Sequence, residues 1–159
     1  MSDLQVILQA FDDAWDHPYE SLASALEGVT EEEALWQALA YADAEPEEGW
    51  PPPGTIAWQV AHLTHCKRHY RDILQHGDPS SRPEVRPWKA QPDFKALLNR
   101  LQEAHAAQRI VILGLTDDQL DAVGAQDVMP TRRFLAMCTR HDAWHAAQIA
   151  VARRRYRSR

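Results

Sequence analysis

Cysteine is scarce in this chain of 159 residues: Cys66 and Cys138 are the two present. Two cannot build a disulfide framework, so covalent staples do not organise the fold. Long apolar runs are missing as well. No stretch reaches the roughly 18 continuous apolar residues that a membrane span needs. The start, Met1-Ser-Asp-Leu4, lacks the basic-then-apolar order of a signal peptide. The expected location is therefore cytoplasmic, with no membrane partner. Positive charge does not dominate: 17 Lys and Arg face 23 Asp and Glu, for a net charge of −6. This balance argues against nucleic acid as the main partner, because phosphate binding wants a basic surface. The exception is the tail Arg153-Arg-Arg-Tyr-Arg-Ser-Arg159. It reads as a solvated helix end whose cations suit the negative C-terminal dipole, or as a contact for an acidic partner or phosphate. No Gly-rich phosphate loop or Gly-x-Ser-x-Gly elbow is present.

What is present is helical periodicity. Hydrophobic residues make up 45% and charged residues 25%, the balance of an ordinary globular protein. The chain fits one domain with a sizeable core and shows no internal repeat. Ser2 or Asp3 caps a first helix with Leu4, Ile7, Leu8 and Phe11 on its inner face. Pro18 interrupts it near His17, and the pattern resumes through Leu22, Ala25 and Leu26 to a stop at Gly28. Thr30 to Glu33 reads as a capping box opening a shorter helix through Ala34, Leu35 and Leu39. Residues 43–54, acidic and then proline-rich, form a loop. Thr55 caps a long helix through Ile56, Val60, Leu63, Tyr70, Ile73 and Leu74, which Gly77 and Pro79 end. Residues 77–92 carry Pro79, Pro83, Pro87 and Pro92 and form a second long connection. A third long helix starts near Pro92-Asp93 and carries Phe94, Leu97, Leu98, Leu101, Ile110 and Leu113 until Gly114. Thr116 to Leu120 reads as a capped single turn. Residues 121–130 are a loop with a brief extended piece, and Pro130-Thr131 opens a last long helix to about Arg154. The expected fold is all-α: a four-helix bundle with long crossover connections and short extra helical turns.

Chemistry concentrates in histidine. His141 and His145 are one helical turn apart, so both project from the same face. Two neutral imidazoles there can hold one divalent transition metal, but two ligands rarely make a site. Partners must come from another helix, and the second long helix carries His62, His65 and His69. At about 100° per residue, His65 and His69 lie within roughly 60° of His62. His62 sits among Val60, Ala61 and Leu63 and points toward the core. His65 and His69 neighbour Lys67, Arg68 and Arg71, a shift toward solvent. On spacing alone, His62 reads as a hydrogen-bonded core histidine or as the third ligand.

The segments Ile56-Ala-Trp58-Gln-Val-Ala-His62-Leu63 and His141-Asp-Ala-Trp-His145-Ala-Ala-Gln148-Ile149 resemble the DinB-like (DinB/YfiT) superfamily of bacterial damage-inducible four-helix proteins. Ala14-Trp15-Asp-His17-Pro-Tyr-Glu-Ser21-Leu22 resembles the kinked first helix of some members. The resemblance implies a stress-response protein in which His62, His141 and His145 bind one divalent metal ion. It also implies a homodimer. Three histidines would leave coordination positions open for water or substrate, as in catalytic rather than structural sites. Zinc, nickel, iron and manganese all accept imidazole, so the sequence does not choose the metal. Some relatives transfer a low-molecular-weight thiol onto electrophiles, which makes a metal-dependent thiol transferase or a related hydrolase the expected activity. The alternative is a non-catalytic stress protein that binds metal or a small ligand.

The pair is not His-Glu-x-x-His, so the built-in base of a metalloprotease is missing. Asp142 reads as a surface residue or as a group supporting a ligand, rather than as a catalytic base. Glu103 and His105 on the third helix are within reach of the core, with Glu103 read as a solvated charge. Cys138 shares the face of His141 and His145, and Cys66 stands in a similar relation to His62. Each cysteine reads as a small buried core residue, or as a fourth ligand or redox-sensitive thiol at the site. Trp58 and Trp144 read as core packing, or as walls of an apolar pocket over the metal.

Overall fold

A computed structural model describes residues 1–38, 49–77, 93–123 and 129–159. Leu39, the acidic stretch 43–48, the connection 78–92 with its four prolines, and residues 124–128 lie outside the described residues. The fold is all-α. Four long helices, α1 (Asp3–Asp16), α4 (Ile56–His76), α5 (Phe94–Leu113) and α7 (Thr131–Arg157), are joined by the short helices α2 (Leu22–Leu26), α3 (Glu31–Leu35) and α6 (Asp117–Asp121). An isolated antiparallel bridge between Val123 and Pro130 precedes α7. α4 packs on both α5 and α7, while α1 packs on α7.

The helix ends follow local chemistry. Ser2 and Gln5 form a full capping box on α1, and Ser21 and Ser24 form one on α2, each satisfying backbone donors that the helix leaves free. His17 ends α1 in extended backbone just before Pro18. The α-conformation is disfavoured for a residue before proline, which explains the break. The Thr55 hydroxyl accepts from the Trp58 N–H at 3.0 Å and starts α4. Gly77 ends it at φ 68°, its N–H on the Ile73 carbonyl at 2.8 Å. Only glycine takes that left-handed conformation at no steric cost.

Three expectations at helix ends change. α3 stops at Leu35, with Trp36 in extended backbone, short of the expected run through Leu39. Thr30 caps α3, but the Glu33 carboxylate turns inward and accepts from Arg153 Nε at 3.1 Å instead of closing a capping box. The basic tail is correspondingly not a free solvated end. Arg153 also donates to the Ala25 carbonyl, Arg155 to the Ala38 carbonyl and Arg159 to Glu32. The α7 terminus is thus fastened onto α2 and α3.

The core forms two apolar clusters. Leu22, Ile56, Val60, Leu63, Leu97, Leu101, Ile149 and Ala152 belong to one. Phe11, Ile73, Ile112, Leu120, Phe134, Leu135 and Cys138 belong to the other. Each fully buried Leu, Ile or Phe contributes about 1.5–3 kcal/mol. On α5 the buried stripe runs 94, 97, 101, 104, 105, 108 and 112. Ile110 and Leu113, part of the apolar pattern of this helix, fall off that stripe and are exposed. Along α4, α5 and α7 the residues between the two clusters are polar: Thr64, Lys67, His105, Gln108, Asp142 and His145 are all buried. The chemistry of the chain therefore sits in a polar layer across an otherwise apolar interior.

Candidate metal centre

His62 projects from the second turn of α4, and His141 and His145 from successive turns of α7. Packing of α4 on α7 brings the three rings together. The His62 ring lies 5.4 Å from that of His141 and 5.0 Å from that of His145, and the α7 pair is 4.5 Å apart. Nε2 of His145 is 3.2 Å from Nε2 of His141. The amide oxygen of Gln59, one turn before His62 on α4, accepts from Nδ1 of His145. That bond puts the proton on Nδ1 and leaves the Nε2 lone pair turned toward His141. Trp58 stacks on His62 with the rings nearly parallel, 5.0 Å between centroids.

Burial keeps these imidazoles neutral. Desolvation lowers His62 to about 4, with help from the neighbouring His141 and His65. Desolvation also lowers His145 to about 3, reinforced by His141 and His62. His141 is lowered by desolvation and then by the Lys67 ammonium. Near neutral pH all three rings carry a lone pair rather than a positive charge, the state a metal ligand requires.

Cys66 joins the group. Its sulfur lies 3.5 Å from Nε2 of His62. Donor atoms of His62, Cys66 and His141 all come within 4.8 Å of one another, so this group could hold a metal ion. The predicted ligand His145 falls outside that group, although its Nε2 comes within 3.2 Å of Nε2 of His141. The separations suit a common ion. Zinc–nitrogen bonds of about 2.0–2.1 Å at tetrahedral angles separate two nitrogens by about 3.3 Å, and a zinc–sulfur bond of about 2.3 Å puts nitrogen and sulfur about 3.6 Å apart.

The remaining candidates separate clearly. Cys138 is buried within the second apolar cluster and is outside the donor group, its thiol pushed up by desolvation. Burial pushes the Cys66 thiol up to about 11. His65 lies 6.1 Å from the Trp50 ring and 6.4 Å from that of His69, and neither is in the donor group. Glu103 is exposed. His105 is buried and stacks between Phe11 and Trp15, its centroid 4.9 and 3.9 Å from theirs. Trp144 is not core: it is 65% exposed and lines a shallow surface pocket with Ala147, Gln148 and Val151, with none of the three histidines in that lining. The buried arc of α7 runs through 138, 142, 145 and 149, and position 144 lies well outside it.

Asp142 corrects the expectation of a surface residue. It is buried and meets Lys67 Nζ of α4 at 2.5 Å. Desolvation raises its carboxyl, opposed by Lys67. The Lys67 ammonium also faces the Phe11 and Trp15 rings at 5.1 and 5.4 Å. Lys67 and Gln59 were both missed by reading motifs. Each carried a signal: they stand at buried positions in the same periodic pattern as Val60, Leu63 and Thr64, where a polar side chain needs a partner.

Fold and cluster together define a class: an all-helical protein with a buried group of histidine and cysteine donors able to hold a metal ion. The chain belongs to the DinB superfamily, whose family model matches residues 14–149. No curated protein and no solved structure matches it. Among the described residues, no helix is long and apolar enough to cross a membrane.

Proposed function

We propose that this is a divalent-metal protein with His62, His141 and His145 as ligands, acting as a transferase of a low-molecular-weight thiol or as a related hydrolase. One observation carries the reading: three neutral imidazoles from two packed helices converge, with the His141 and His145 nitrogens at a separation suited to one ion. A bound divalent ion supplies a Lewis acid that lowers the pKa of a thiol or water and makes it a nucleophile at neutral pH. The protein's own residues do the positioning. Gln59 holds His145 in the tautomer with Nε2 free, an arrangement that typically orients a ligand and raises its basicity. Trp58 fixes the plane of His62 by stacking. The Lys67–Asp142 pair ties α4 to α7 directly beside His141, which sets the register between the two sources of ligands.

A second reading, a non-catalytic metal-binding protein, draws on Cys66. A fourth protein donor close to His62 favours the closed coordination of structural sites. Thiol conjugation to an electrophile, or hydrolysis, measured with tag-free protein, separates the two readings. The proposed activity disappears with a chelator, returns with added zinc or manganese, and is lost in His141→Ala while helix content by circular dichroism is kept. Full activity in His141→Ala would remove the metal from the mechanism. Tight metal retention with no turnover across a panel of thiols and electrophiles would select the non-catalytic reading.

A further inference from the structure

We infer that Cys66 is itself a ligand of the ion, its thiolate bound beside the histidine nitrogens, with Tyr70 positioning the sulfur. The inference rests on the metal-site reading above and adds a donor of a different kind to it. Three observations carry it. The Cys66 sulfur is 3.5 Å from Nε2 of His62, one turn away on the same helix, the separation that two donors of one tetrahedral zinc ion adopt. Among the described residues, donor atoms of Cys66, His62 and His141 lie mutually within 4.8 Å. Tyr70 stands a further turn along α4, on the same side of the helix as Cys66. The Tyr70 ring packs edge-on against His141, 5.8 Å between centroids. A phenol one turn from the sulfur and packed on another ligand is placed to orient a metal-bound thiolate.

Cys138 supplies the internal control. It shares a helix face with His141 yet lies among Phe134, Leu135 and Ile112, outside the donor group. Its proximity in sequence to the histidines therefore gives it no place at the site. Binding through Cys66 replaces its S–H bond by a sulfur–metal bond and releases the proton to solvent. A thiolate added to the histidines would fill a tetrahedral zinc site with protein donors, the closed coordination on which the non-catalytic reading draws. A thiolate in the set favours zinc over a hard ion such as manganese, which prefers oxygen ligands.

Cobalt(II) is the probe, because a cobalt–thiolate bond produces a near-ultraviolet charge-transfer band that imidazole ligands do not. The full-length protein is measured as Cys138→Ser, where Cys66 is the remaining cysteine, and as Cys66→Ser, where Cys138 remains. The band appears in wild type and in Cys138→Ser and is absent in Cys66→Ser. Zinc affinity in Cys66→Ser falls by at least about tenfold, the lower end of what disturbing even a supporting residue costs. Cobalt bound at one ion per chain to wild type and Cys138→Ser without the band overturns the role of Cys66 and leaves the histidine site standing. Failure of wild type to bind cobalt or zinc overturns both.

Discussion

Lys67 carries a charge into the interior, where its only close anionic partner among the described residues is Asp142 at 2.5 Å. Removing water from both ions costs several kcal/mol each, and their attraction offsets this only while both are present. Lys67→Met alone leaves a buried carboxylate unpaired, and the expected destabilisation is about 3–5 kcal/mol. Asp142→Leu strands the ammonium at a similar cost. The double variant Lys67→Met/Asp142→Leu recovers most of either loss, because no uncompensated charge remains. Urea unfolding of the three variants checks this, and additive losses in the double variant would contradict a coupled pair. At this scale the sequence was partly legible. The shared face of His141 and His145 could be read because i, i+4 spacing on a helix has one geometric meaning, whereas His62 was set beside them only by the family resemblance. Asp142 could not, since its burial depends on where α4 places Lys67, a contact between residues far apart in the chain. Cys66 and Cys138 stand in similar relations to histidines, and only tertiary packing separates them.

Helix boundaries were the most legible feature, because caps are local chemistry. Ser2, Thr55, Gly77 and Gly114 fall where the sequence places them. The two glycines nevertheless do different jobs. Gly77 closes α4 at φ 68°, where an L side chain costs about 1–2 kcal/mol. Gly114 closes α5 at φ −80°, and an added Cβ there meets the Val111 carbonyl oxygen at 3.4 Å, an ordinary contact. Gly77→Ala therefore lowers stability by about 1–2 kcal/mol, while Gly114→Ala changes it by less than about 0.5 kcal/mol. Thermal unfolding of both variants measures the difference, and equal effects would contradict the assignment of strain to α4 alone. The α7 terminus was misread for the opposite reason. Arginines at a helix end suit the dipole locally, but Glu33 is buried and Arg153 supplies its partner. A charge run carries no mark of the acidic residue that will receive it from over 100 positions away.

Across the whole molecule, apolar clusters on either side of a polar layer explain how a small helical fold holds reactive groups in place. The clusters supply rigidity, and the layer supplies donors already stripped of water. That desolvation makes stability depend on pH. His62 is lowered to about 4 and His105 and His145 to about 3, chiefly by burial, while the unfolded chain keeps the ordinary histidine value of 6.5. Between those values the unfolded chain takes up protons and the native protein does not. The stabilisation from these neutral histidines is therefore complete above 6.5 and is lost as pH falls toward 4. The melting temperature of metal-free protein falls on acidification across that window, and a flat profile down to pH 5 would contradict buried neutral imidazoles. His105→Phe keeps the stacking with Phe11 and Trp15 and makes the acid loss shallower. Bound metal raises the melting temperature at neutral pH, because it binds the folded state.

Metal content of tag-free protein, reconstituted with zinc, freed of excess by gel filtration and measured by mass spectrometry, tests the central claim most directly. The account predicts one ion per chain in the wild type and marked loss in each of His62→Ala, His141→Ala and His145→Ala with helix content unchanged. Substoichiometric metal in the reconstituted wild type, or full loading in the histidine variants, would contradict it.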